Sequence, residues 1–268
     1  MSENFTDSLF DFAYYRDWTG SLDALEQLAA PERWAYSDIK EDARNNKIPI
    51  LDNYIKHTFK RLMSQYLAAD PAEQGRYFYI EPDKAVFDTG LFTVNYARIY
   101  AVYTRNRWQE APEPYYFNGF FDESAPILFD VQPLPQRATY FATISDLIFD
   151  TTLPLRVNTY HILQDPRNRA RIPERFRDAD NLITLFTGAV ALAQKMVEAN
   201  YHVAVPQFYD GKISFLLPIC LGKPAQADVA LSVINSEQCY LGVTCLTLDM
   251  AYNNARLICK PGRIWLDA

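Results

Sequence analysis

Basic residues are in short supply in this sequence. Its 268 residues include 26 lysines and arginines against 33 aspartates and glutamates, and the net charge of −7 argues against a protein that coats nucleic acid by bulk electrostatics. Glycine numbers only 9 and no low-complexity stretch occurs, which excludes fibrous and disordered classes. No uncharged run reaches the ~20 residues that cross a bilayer. The longest, LITLFTGAVALA at 182–193, predicts a buried core helix, and no membrane association is expected. MSENFTDSLFDF lacks the basic-then-apolar order of a signal peptide, so a cytoplasmic location is expected. Cys220, Cys239, Cys245 and Cys259 show no CxxC spacing and sit in apolar segments, which suits structural thiols rather than a zinc site. P-loop, GxGxxG, GxSxG and HExxH patterns are missing, as is any metal-ligand cluster, and the sequence names no cofactor.

What is present is core-forming material. Apolar residues make up 49% and aromatics 15%, enough for a sizeable interior. Residues 1–45 hold ten acids and four bases, so most of the negative charge lies there and the rest of the chain is close to neutral. IPILDNYIKHTFKRLMSQYL (48–67) predicts an amphipathic helix, with Leu51, Ile55, Thr58, Leu62 and Tyr66 inward and Asn53, Lys56, His57 and Lys60 outward. RYFYI, AVF, FTVNYARIYAVYT, ADVALSVI and CYLGVTCLTL predict strands. HVAVPQFYDGKISFLLPICL predicts a hairpin turning at Asp210-Gly211, and Pro206 marks an edge or bulge. Helices and antiparallel strands are mixed without βαβ alternation or internal repeat. The expected fold is α+β: a mixed, largely antiparallel sheet packed with a central apolar helix, as one compact domain at 46–268 carrying an acidic helical segment at 1–45.

Two stretches carry candidate chemistry. LTLDMAYNNARLICK (246–260) predicts a last helix capped by Asp249, with Asp249, Asn253, Arg256 and Lys260 on one polar stripe. Arg256 beside Asn253 suits a phosphate or carboxylate. Asn254 falls on the apolar face, where it must be hydrogen-bonded, as a tether to a neighbouring loop or as a ligand contact. RVNTYHILQDPRNRARIPERFR (156–177) has six arginines against Asp165 and Glu174 and no lysine, which favours bidentate phosphate contacts. His161 and Asp165 share a face if YHILQD is helical, an arrangement suited to general acid–base work, or a structural hydrogen bond.

ILDNYIKHTFKRL, FDTGL, HILQDPRNR with IP after it, NYHVAVPQFYDGKISFLLPICL and LTLDMAYNNARLI with WL beyond it resemble the family known as domain of unknown function 3825 (DUF3825), from about Leu25 to Leu266. A turn that reads Asn-Thr-Gly-Leu in that pattern is Asp88-Thr89-Gly90-Leu91 here, which weakens any anion contact there. Members are often joined to cold-shock or OST-type winged-helix modules, so the resemblance implies a link to RNA or nucleotides. The expected function is thus an RNA- or nucleotide-binding domain, with a metal-independent phosphodiesterase or nuclease as its enzymatic form. Arg169, Arg171 and Arg256 would hold phosphates, and Asn168, Gln207 and Asn253 would read polar edges. His161, oriented by Asp165, would be general acid or base, and Tyr115, Tyr116 and Phe117 offer stacking surface or core. The alternative is a protein-interaction or scaffold domain whose arginine-rich face meets an acidic partner.

Overall fold

The computed structural model describes residues 7–37, 46–108, 110–224, 226–262 and 265–266, so the expected 1–45 segment is described for 7–37 alone. The chain divides into two units, Met1–Thr139 and Tyr140–Ala268. The α+β class holds, but the strands form two five-stranded sheets.

The first unit opens with α1 (Leu9–Phe12), the two-residue strand β1 (Ala13–Tyr14) and α2 (Trp18–Leu28). Then comes α3 (Pro49–Ala68), started by a proline in its first turn, where no intrahelical N–H is lost. It buries Leu51, Tyr54, Ile55, Thr58, Phe59 and Leu62 on the side the apolar spacing marks, while His57 and Lys60 stay exposed. Four strands follow: β2 (Tyr79–Ile80), β3 (Lys84–Phe92), β4 (Arg98–Arg105) and β5 (Tyr115–Asp122). Phe12, Phe59, Phe78 and Phe87 meet edge-on or tilted in the core, and Tyr103 stacks on Phe87.

The second unit runs β6 (Leu155–Val157), α4 (Thr159–Gln164), α5 (Pro166–Arg171), α6 (Glu174–Arg177) and α7 (Leu182–Ala199). It continues through β7 (Val205–Tyr209), β8 (Lys212–Ile219), β9 (Val229–Asn235), β10 (Tyr240–Leu246) and α8 (Leu248–Arg256). The β7–β8 hairpin turns at Asp210 (φ 49°) and Gly211 (φ 77°), the two left-handed positions of a type I′ turn, and β7 with its Pro206 is an edge strand. The helix expected to be apolar all round buries a single stripe of α7: Leu182, Phe186, Ala189, Ala193 and Val197. Gly188 faces open space, and Ile183 is 47% exposed.

Although the sequence displays no repeat, the two units share one topology. In each, a short edge strand parallel to the unit's last strand is followed by α-helices of which the last is the longest and then by four antiparallel strands, with α1 before this run in the first unit and α8 after it in the second. The sheet orders β1-β5-β4-β3-β2 and β6-β10-β9-β8-β7 are therefore equivalent. The match reaches single residues. A buried tyrosine opens each last strand, Tyr115 opposite Ala13 and Tyr240 opposite Leu155. Three positions on, each strand carries one extra residue. Asn118 is skipped between the Phe117–Tyr103 and Gly119–Val102 pairs, and Val243 between Gly242–Val233 and Thr244–Ser232. These are β-bulges in the same place.

Candidate functional site

The second unit carries an open hollow of about 800 Å³ beside the edge strand β6. It is lined by Arg156, Asn158, Thr159, His161 and Thr187 and by Val157, Leu241, Gly242 and Val243. The register puts Arg156 and Leu241 on one face of the sheet and Val157 with Gly242 on the other, so both faces contribute at this edge. Local backbone features shape it. Asn158 ends β6 and caps α4, its Oδ1 accepting the His161 N–H at 3.0 Å, which fixes where His161 begins the first turn. Gly242 lets β6 lie close, since a Cβ there would meet Val157 Cγ2 at 2.9 Å. The bulge leaves Val243 outside the ladder and 43% exposed at the hollow. Arg156 and His161 are exposed, and among the described residues neither side chain has a protein partner.

Of the ten residues expected to form a site, His161 alone lines this hollow. Asp165 does not orient it. The carboxylate caps α5, where Oδ1 accepts the Arg167 N–H at 2.8 Å, because Asp165 is the junction at which α4 stops and Pro166 starts the next helix.

The arginine-rich segment is largely consumed by its own fold. Arg171 donates to Asn168 Oδ1, Thr244 Oγ1 and the Cys245 carbonyl at 3.3, 3.1 and 2.7 Å. Arg169 donates to the Arg177 carbonyl and lies 3.7 Å from Asp178. Arg177 donates to the carbonyls of Ala170 and Ile172. Arg175 pairs with Asp228, whose other oxygen accepts the Leu221 and Gly222 N–H groups. Short helices leave many end carbonyls without intrahelical donors, and guanidinium groups supply them here. Arg156 and Arg167 alone of the six are uncommitted among the described residues.

Three more of the expected residues, Asn168, Gln207 and Asn254, meet on one face of the second sheet in a largely buried polar seam. Gln207, 1% exposed, donates through Nε2 to Ser214 Oγ and Ser232 Oγ at 3.0 and 2.8 Å, and its Oε1 accepts from Asn254 Nδ2 at 2.9 Å. Thr244 lies opposite Ser232 and so on the same face, and donates to Asn168 Oδ1, which also accepts the Cys245 N–H at 3.2 Å. Asn168 Nδ2 donates to the Ile162 carbonyl. Asn168 and Arg171 thus fasten α5 to β10, and Asn254 fastens α8 to β7: tethers, through both amide atoms of Asn168, Nη1 of Arg171 and Nδ2 of Asn254. Cys245, in the same seam, has its thiol pushed up to about 12 by burial, out of nucleophile range.

On α8 the cap is Thr247, not Asp249. Thr247 Oγ1 accepts the Met250 N–H at 3.2 Å, and Asp249 sits in the first turn, where its charge still suits the helix end. Arg256 leaves the expected polar stripe with Asn253. Tyr252 and Arg256, one turn apart, both face inward, and Arg256 is 6% exposed and engaged there. Asn253 is half-buried.

In the first unit the Asp88–Leu91 turn binds itself. Asp88 Oδ1 accepts the Gly90 N–H at 2.7 Å, Oδ2 lies 3.2 Å from Arg98, and Thr89 Oγ1 donates to the Ile99 carbonyl. Burial raises the Asp88 carboxyl to about 6, against the pull of Gly90, Arg98 and Arg137.

Two topologically matched units, each with a bulged last strand beside its edge strand, define this as an α+β protein with an internally repeated architecture. A family model described as Domain of unknown function (DUF3825) matches residues 25–265, and the chain belongs to that family. No curated protein and no solved structure matches it.

Proposed function

We propose that residues 140–268 bind RNA, or a nucleotide unit of it, in the hollow at β6, α4 and β10. The observation that carries this reading is that two uncommitted side chains, Arg156 and His161, line one hollow with the apolar side chains of Leu241 and Val243, Leu241 sharing a sheet face with Arg156. A guanidinium fork and an imidazole suit phosphate oxygens, the apolar side chains suit a base, and the Asn158 amide and Thr159 hydroxyl in the same lining suit a ribose. The volume of about 800 Å³ falls within the ~300–1,000 Å³ of small-ligand clefts, enough for a nucleotide or two.

Binding is better supported than cleavage. A general base needs a held ring, and the carboxylate expected to hold His161 is occupied with Arg167. The alternative, an arginine-rich docking face for an acidic protein, is weakened because four of the six arginines are spent within the unit.

The test incubates the protein with end-labelled single-stranded RNA and runs native and denaturing gels in parallel, with Arg156→Ala and His161→Ala alongside. A shifted, intact band is expected. Arg156→Ala should weaken it about tenfold, the value of one charge-assisted hydrogen bond. Cleavage that vanishes in His161→Ala would make the protein a nuclease instead. RNA neither shifted nor cut would end the RNA reading.

A further inference from the structure

The first unit has a hollow at the equivalent place. About 420 Å³ in volume, it is lined by Arg16, Asp17 and Gly20, where the chain leaves β1 for α2, and by Tyr116, Asn118 and Phe120 of β5. Counting from the paired tyrosines, Tyr116 corresponds to Leu241 and the bulge residue Asn118 to Val243. Each hollow is lined by one arginine, though from different positions: Arg156 lies within β6 and corresponds by register to Tyr14, whereas Arg16 follows β1 where Asn158 follows β6. Arg16 is exposed and uncommitted among the described residues, as Arg156 is.

We infer that this hollow is a second binding site in the chain, which takes unpaired bases of single-stranded RNA. The inference rests on the reading of the first hollow as an RNA site. The chemistry of the walls differs in a way that sets the class of ligand. Tyr116 is half-buried and Tyr14, its ring 5.9 Å away, is exposed, so both rings keep a surface for solvent. The bulge lifts the exposed amide of Asn118 beside Tyr116; Phe120 lies on the other face of the sheet, edge-on to Phe117. Residues 1–139 carry the whole net charge of −7, so general attraction for phosphate is missing there. Part of the Asp17 charge is spent on the Gly20 N–H, which Oδ1 accepts at 2.9 Å. Arg16 suffices for one phosphate, and the remaining affinity comes from base stacking. A duplex keeps its base faces stacked inside, so only a single strand reaches these rings.

The experiment titrates the full-length protein with a five-nucleotide single-stranded RNA by calorimetry, and repeats the titration with Arg16→Glu, Tyr116→Leu and Arg156→Ala. Arg16 is exposed, so its reversal leaves the core intact, and Tyr116→Leu keeps apolar volume while removing the ring. The expected result is two sites per chain. Arg16→Glu abolishes one, Arg156→Ala the other, and Tyr116→Leu weakens the first-unit site about fivefold or more, the low end of a base–aromatic stack. A hairpin duplex should fail to occupy the first-unit site. One site, lost to Arg156→Ala and untouched by Arg16→Glu, overturns this inference and leaves the second-unit site standing. Full occupancy of the first-unit site by duplex also overturns it. One site lost to Arg16→Glu alone supports this hollow and overturns the other, and no binding overturns both.

Discussion

Asp88 shows how far a single side chain departs from its sequence appearance. It looks like a turn aspartate, yet it is 1% exposed and its carboxyl is raised to about 6, burial outweighing Arg98. A folded-state pKa above the unfolded one means the folded protein binds the proton more tightly. The stability this contributes is full below the ordinary 3.8 and is lost as pH rises through about 6. Between those limits it amounts to about 3 kcal/mol. Denaturant melts at intervals from pH 4 to pH 8 should show stability falling across that window. Asp88→Asn, which keeps an acceptor for the Gly90 N–H, should flatten the fall, and an unchanged slope would refute the assignment. Asn168 gives the complementary case. Asn168→Ala removes the acceptor shared by Arg171, Thr244 and the Cys245 N–H, at a cost of about 1–3 kcal/mol or more. That loss should appear in urea melts and leave RNA affinity at the hollow unchanged; an affinity loss without a stability loss would make Asn168 a ligand contact after all.

At the scale of elements, Gly242 is the position on which the hollow turns. Gly242→Ala places a Cβ 2.9–3.0 Å from both Val157 methyl groups, so β6 must shift. A cost of about 1–3 kcal/mol is expected, as for overpacking elsewhere. RNA affinity should fall with it because Arg156 rides on β6; an RNA affinity that survives the shift would place the ligand elsewhere. Elements of this kind were only partly legible in advance. The α3 stripe, the Asp210-Gly211 hairpin and the edge position of β7 follow from apolar spacing, left-handed turn residues and one proline, all local causes. The buried amide of Asn254 was legible as a group that must find partners, but its partner Gln207 lies 47 residues away. The bulges at Asn118 and Val243 were not legible, because a bulge exists in the pairing of two strands and leaves no mark on one. The arginines misled for a related reason. Six in one segment read as a surface charge, but three of the helices there are six residues or shorter, and their ends need donors.

For the whole molecule, charge and architecture divide along the same boundary. Residues 140–268 hold 12 acids and 12 bases, so the net −7 belongs to residues 1–139, although the topologies match. The two units match in hydrogen-bond register, in the place of the bulge and in one tyrosine each, features of strand pairing that need no periodicity in the sequence. With that charge, the proposed RNA binding would run through a few placed cations, not through a field, and that difference can be measured. Each phosphate neutralised on a single strand contributes about −0.7 to the slope of log affinity against log salt. Arg16 and Arg156 then set a slope of about −1.4, whereas six free arginines would set one near −4. Filter binding of single-stranded RNA from low to moderate salt should return the shallow value, and Arg156→Ala should reduce it by a further ~0.7. A steep slope would mean that the ion pairs and carbonyl contacts of Arg169, Arg171, Arg175 and Arg177 open in the complex, and that the segment, not the hollow, is what RNA meets.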